Sequence, residues 1–451
     1  MAMMKNLLPV FTILLYASTF SALSAPGDRD PGFTPPADLN EEVGAIALRA
    51  DGKIIIGGNF TNVDGISTLD SIIRLDPDGS RDPDFVPIEG LSTDLETLAL
   101  QPDGKIVIGG YFVDVDGIST LDSIARLEED GSRDMGFTPP ANLNGEVYSI
   151  LVQPDGKILV GGAFDEVDGI TTLDRIVRLD ENGSRDTGFT PPEDISDYVF
   201  SIALQPGGKI LVGGQFLNVD GISTLDRIVR LNTNGSRDTG FTPPADLNGA
   251  VLAIAVQADG KILIGGGFFS VDGISNLDRI IRLNANGTRD TGFTPPENLN
   301  GGVECITLLP GGQILVGGGF SEVDGISTLD RLIRLNANGS LDMGFIPPED
   351  LGGGVRSIVT QSDGKALIGG NFTEVDGIST LDRIFRIEAF TPLTPNPAVI
   401  LDGALKKKIK KLKKAIKKAK KKRQFAKAKR LTKKLKKLKG KLLDLQKSKL
   451  D

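Results

Sequence analysis

The chain has 451 residues, with 51 Lys or Arg against 59 Asp or Glu for a net charge of −8, one Cys, no Trp and no His. Without histidine there is no His-based zinc site, no Ser-His-Asp or Cys-His nucleophile and no imidazole general base. A lone Cys makes no internal disulfide, and Cys305, on an apolar stretch between Glu304 and Ile306, reads as a buried small hydrophobe.

In chain order, Met1-Ala-Met-Met-Lys5 is followed by an apolar run from Leu7 to Phe20 and by Ala22-Leu-Ser24. A positive start, a short apolar middle and a small-residue exit predict a signal peptide over 1–24, cut after Ser24 so that Pro26 is not left first. The apolar run is too short for a transmembrane helix. The mature protein is therefore expected to be exported, whether periplasmic, at the cell surface or extracellular.

From there a Gly-Gly pair recurs at Gly57, Gly109, Gly161, Gly213, Gly265, Gly317 and Gly369, always 52 residues apart. A fixed period of this size marks a solenoid, propeller or array. Each unit holds four short apolar stretches. In the fourth unit they are Val199–Gln205, Lys209–Phe216, Arg227–Leu231 and Ser236–Phe241, with Pro206-Gly-Gly and Asn232-Thr-Asn-Gly235 as tight turns between neighbours. Their length and β-branched content suit strands, and Gly supplies the positive φ of the turns.

The predicted fold is all-β: a seven-bladed β-propeller of four-stranded antiparallel blades over 25–389. The last unit stops after Arg383–Ile387, and its missing stretch sits at the other end as Gly27–Phe33. The N-terminal strand is expected to complete the last blade and close the ring, removing free edges. The order apolar run, Gly-Gly, aromatic, Arg, Asn/Asp-x-Asn/Asp-Gly, Asp, Phe resembles the bacterial delta-60 repeat. More distantly it is similar to kelch repeats, though without their Trp, with Phe241 and its equivalents where a kelch aromatic would lie. The likeness covers about 29 to 388. It implies a propeller-like repeat protein of the cell envelope or exterior and brings no catalytic residues and no cofactor.

Two charges recur in every unit. Arg74, Arg126, Arg178, Arg230, Arg282, Arg334 and Arg386 face Asp82, Asp134, Asp186, Asp238, Asp290, Asp342 and Asp30 across the outer hairpin, and read as one structural ion pair per blade. Asp76-Pro-Asp-Gly-Ser-Arg-Asp82 has calcium-loop-like spacing, but its equivalent Asn232-Thr-Asn-Gly-Ser-Arg-Asp238 loses two charges while keeping the turn. It reads as a hairpin turn, with no metal or cofactor.

Strand alternation puts the longer connections, such as Asn218–Asp226 and Thr242–Gly249, on one face, where function tends to sit. That face carries a ring of Asp64, Asp116, Asp168, Asp220, Asp272, Asp324 and Asp376, a candidate binding surface for a protein or glycan. The bland alternative is that each primes an Asp-Gly turn. Ile195–Tyr198 and Leu351–Gly354 are mild irregularities in the repeat.

Past a Pro-rich linker at 390–403 the chain changes character. From Leu401 to Asp451 there are 24 Lys or Arg against three Asp, a net of +21, whereas residues 25–400 carry 26 basic and 56 acidic side chains, a net of −30. Leu405, Ile409, Leu412 and Ile416, then Leu431, Leu435, Leu438 and Leu442, step by four and three. This predicts a basic amphipathic α-helix or helical hairpin over 404–451. Lys410, Lys413, Lys414, Lys417, Lys420, Lys433, Lys436 and Lys437 are its candidate anion-binding residues. Such a tail suits an anionic lipid surface, lipopolysaccharide or acidic polysaccharide. A coiled coil and a merely solvated tail stay open. No specific nucleic-acid partner is expected, and the chain is expected to be a monomer. The function read here is a non-catalytic binding or structural propeller. The alternative is a carboxylate-dependent glycan hydrolase or lyase on the long-loop face.

Overall fold

The computed structural model describes residues 25–390 apart from 38, 67–70, 89, 90, 92, 93, 113, 114, 116–122, 142, 174, 276–278, 350 and 379–382. The expected signal peptide, the tail with its eight lysines, and Asp116 lie outside the described residues. The chain divides into two units after Phe390, and every strand belongs to the first.

Each 52-residue unit folds into one antiparallel sheet of three strands, giving seven blades. In the fourth blade these are Val199–Leu204, Ile210–Gly214 and Ile228–Leu231. In six blades the second strand is an unbroken apolar run ending in Gly-Gly and is buried along its whole length, and in the seventh the same buried run follows Lys365. Continuous rather than alternating apolarity is what a strand covered on both faces requires. Phe60, Phe112, Phe164, Phe216, Phe268, Phe320 and Phe372, two residues after each doublet, are all fully buried.

The expected fourth strand shrinks to a single bridge, Leu231 to Arg237 in the fourth blade. The reason lies one residue on. The Asp238 side chain accepts the Gly240 amide at 3.1 Å, and its carbonyl accepts the Phe241 amide. The chain therefore turns away before a second pair can form, as Asp does when it bonds the backbone two residues ahead.

The first strands are Val43–Leu48, Leu95–Leu100, Val147–Val152, Val199–Leu204, Val251–Val256, Val303–Leu308 and Val355–Thr360. Each lies against the next, and the seventh lies against the first. They form the inner wall of a closed ring.

Every blade bulges at the same place. In the fourth, Val199 pairs with Gly214 and Ser201 with Gly213, so Phe200 is the extra residue. The Gly doublet makes this possible. A Cβ on Gly214 would stand 2.0 Å from the Tyr198 carbonyl oxygen, and one on Gly213 would stand 2.7 Å from a Val251 methyl of the next blade. The first Gly lets the blades close on each other, and the second lets the bulge fold onto its own sheet.

The N-terminus joins the last blade. Gly27 and Asp30 donate their amides to the Glu388 and Arg386 carbonyls, both at 2.7 Å, and Glu388 donates back to Asp28.

Candidate functional site

Each recurrent Arg–Asp pair turns out to be part of a larger knot. The Arg Nε stands 2.5 Å from Asp82 in the first blade and 2.7–2.8 Å from the corresponding Asp in the other six. A Lys Nζ shares the same oxygen at 2.5–2.9 Å from Lys53, Lys105, Lys157, Lys209, Lys261 and Lys365, and Gln313 takes the place in the sixth blade. The other Asp oxygen accepts a backbone amide two residues on. The guanidinium lies over the ring of the following Phe, 4.6 Å away for Arg178 and Phe189. Its Nη1 reaches the next blade, as from Arg74 to the Glu129 carbonyl at 2.6 Å. These fourteen charges hold blades together and are taken up by that task.

Asp82, Asp134, Asp186 and Asp238 are pulled down to about 2: burial opposes this, but the shared Lys, the backbone amide and the Arg outweigh it. In Asp290, also about 2, the Lys261 hydrogen bond is the largest influence. A carboxyl whose folded pKa is depressed stabilises fully above its unfolded value near 3.8 and loses that contribution as pH falls through the folded value. Each is worth roughly 2 kcal/mol, so five together rival the ~5–15 kcal/mol stability of a typical domain. Acid unfolding is therefore expected between about pH 4 and 2. A far-ultraviolet circular dichroism titration that showed the sheet signal lost above pH 5 would contradict it.

The Asp ring on the long-loop face is engaged as well. Asp64, Asp168, Asp220, Asp272, Asp324 and Asp376 all adopt positive φ, from 49 to 54°, and are followed by a Gly that does the same in each. That is a type I′ turn. One oxygen of Asp168 and of Asp272 accepts an amide from the preceding inter-blade link at 3.1 Å. The other oxygen faces an Arg, 3.3 Å away for Arg185 and Asp168. The hairpin acid Asp78 is likewise capped by the Ser80 amide and hydroxyl.

The residues that differ from blade to blade lie elsewhere. At the bulge the seven units read Gly44, Glu96, Tyr148, Phe200, Leu252, Glu304 and Arg356, and two residues earlier Glu42, Asp94, Glu146, Tyr198, Ala250, Gly302 and Gly354. Because first strands line the ring, these side chains meet across blade boundaries at its long-loop end. Arg356 bridges both neighbours, 2.6 Å from Glu42 and 2.7 Å from Glu304. Tyr148, Tyr198 and Phe200 form an aromatic trio with centroids 5.2–6.2 Å apart. The Tyr148 hydroxyl donates to Glu146. Burial first, then the charges of Glu42, Asp94 and Glu146, push the Glu96 carboxyl up, against the pull of Arg356. Burial also raises Glu304.

This rim is not conspicuous in the sequence, although its signal is there: superposing the seven units leaves one strand position holding six residue types, including glycine and arginine. The irregularities at 195–198 and 351–354 are its outskirts. Cys305 is next to the rim on the same strand; its thiol lies 3.6 Å from the Val355 carbonyl, and burial pushes its pKa up.

Six stretches, 49–85, 101–137, 153–189, 205–241, 257–293 and 309–345, match the family described as "Domain of unknown function (DUF5122) beta-propeller". A curated relative, Polarized growth protein L1 of Phoma sp., is 30% identical over 125 residues, covering 26% of this chain and 9% of its own length. Among solved structures, the WD40 β-propeller domain of Doa1 is 16% identical, with 80% of this chain and 95% of that one covered at a TM-score of 0.48. YCF48 from Cyanidioschyzon merolae is 13% identical, covering 78% and 98% at 0.43. A gluconolactonase from Xanthomonas campestris is 12% identical, covering 80% and 98% at 0.40. With seven sheets in a ring and a propeller family matched in six consecutive repeats, the chain is a β-propeller repeat protein.

Proposed function

We propose that this is an exported, non-catalytic binding or structural propeller, which engages a ligand at the inner rim of its long-loop face and is attached to an anionic envelope surface or polyanion by the basic segment 404–451. One observation carries the first half. Units that keep their ion knots, Phe residues and turns nearly unchanged put six different residue types at the bulge, and bulges re-aim side chains next to functional sites. A spacer that only filled volume would have no use for that diversity. The delta-60 likeness and the leader-like N-terminus support the envelope setting. The weaker reading is a glycan hydrolase or lyase. Raised carboxyls at Glu96 and Glu304 favour it, but Arg356 ties up Glu304 and Glu42 together.

The second half rests on the charge split of −30 and +21 and on the amphipathic spacing. A peptide of 404–451 should be weakly helical at low salt, because its lysines repel, and should gain helix on anionic vesicles. The full chain should bind the same vesicles and release them steeply as salt rises. Circular dichroism and co-sedimentation across a salt series check this. Binding that survives 1 M salt, or that a chain ending at Gly403 retains, would move the anchor to the propeller.

A further inference from the structure

The rim is electrically lopsided. In five blades a positive-φ Arg precedes the third strand and donates to a carbonyl at the long-loop face, as Arg279 does to Gly267 at 2.5 Å. In the first two blades that position is Ser71 and Ser123. These same two blades and the third contribute Glu42, Asp94, Glu96 and Glu146 to the rim. Among the described residues only Glu42 and Glu304, of the rim carboxylates, pair with a guanidinium. The wall beside this acidic sector is the aromatic trio. A cation from this chain already lies against Tyr198, with Arg175 5.6 Å from its ring centroid, within the reach of a cation–π contact.

Asp94, Glu96 and Glu146 gather at one side of the rim, and among the described residues none of them is paired to a guanidinium. They stand next to electron-rich ring faces, and such a surface gains from a positive charge and has little to offer an anion. An uncharged sugar could stack on the rings but would leave the carboxylate repulsion unrelieved. We infer that the sector formed by Asp94, Glu96, Glu146, Tyr148, Tyr198 and Phe200 binds an organic cation, the ammonium head of a lysine side chain or of a polyamine. The inference rests on the reading of the rim as the propeller's binding site.

The chain reports on its own site. It has no Trp, and Tyr148 and Tyr198 are two of four tyrosines, another being Tyr16 in the expected leader. Titrating the full-length protein with spermidine and with tri-lysine at low salt should change tyrosine emission saturably. The basic tail repels both probes and so cannot supply the signal. Glu96→Gln combined with Glu146→Gln should weaken binding by at least about tenfold, the size of one good cation contact. Phe200→Leu, which keeps the apolar bulk and removes the ring, should weaken it about threefold or more. Melting temperatures should match the parent, and Glu96→Gln alone, which leaves the Tyr148–Glu146 hydrogen bond in place, is the fallback should the double variant fold poorly. The tighter of the two probes identifies the source, peptide or polyamine. Saturable binding of maltotriose without response to either cation would overturn the cation and leave the rim as the site. Cation binding that is unchanged in every rim variant would overturn both.

Discussion

Gly214→Val should destabilise the protein by about 3 kcal/mol or more, at the upper end of overpacking, whereas Gly267→Ala should change stability by less than about 0.5 kcal/mol. The two glycines lie in adjacent blades. A Cβ at Gly214 would stand 2.0 Å from the Tyr198 carbonyl oxygen and 3.0 Å from its carbon, both backbone atoms that cannot rotate away. At Gly267 nothing lies within 4 Å, and its φ is not positive. The contrast separates a steric role from simple flexibility. Denaturant melts of the two variants decide it: equal, small changes would mean that the doublet is only a soft joint. A loss at Gly214 would also be felt at the rim, because its neighbour across the sheet is the bulge that carries Phe200.

The second large effect is expected at the seam. Asp30 is held by Arg386 at 2.7 Å and by Lys365 at 2.6 Å, and its own carboxyl is lowered: burial opposes this, and the Lys365 hydrogen bond, the Gly32 amide and Arg386 outweigh it. Asp30→Ala leaves two cations facing each other in a site where Arg386 is only 8% exposed. Breaking such a buried pair costs about 3–5 kcal/mol. Deleting 25–36 goes further, since it strips the backbone partners of Arg386 and Glu388 and leaves the third strand of the last blade as an open edge. That variant should melt far below the parent and associate in solution. A deletion mutant that stays monomeric and melts with the parent would show that the ring does not depend on this seam.

Much of the architecture is legible in the sequence because its signals are local. β-branched runs, Gly-Gly and Asn-x-Asn-Gly turns lie within a few residues of the bonds they determine, and seven copies repeat the message. The fourth strand is over-read for a local reason too: the apolar pattern runs on to Phe241, but Asp238 bends the chain before the pattern can pair. Lys53 escapes notice because its partner Asp82 is 29 residues away and two strands across, a distance no hairpin rule spans. The rim escapes it for the opposite reason. Within one unit Phe200 or Glu96 is an unremarkable strand residue, and only the circular closure of first strands turns seven scattered positions into one surface. The Asp ring, conspicuous in the sequence, is conspicuous because turn chemistry demands it.

The hydrogen bond from each Arg into the following blade has a consequence for how the molecule comes apart. Arg74 reaches Glu129, Arg178 reaches Thr233, Arg282 reaches Ala337, Arg334 reaches Ala389, and Arg386 returns to Pro77 in the first blade. A linear array frays from its terminal repeats, because the outermost unit has one neighbour fewer than the rest. Here the succession of clasps is circular, so no blade is terminal and none can loosen without unfastening the one before it. Amide protons in all seven second strands should therefore exchange together, through one global opening rather than a graded series of partial ones.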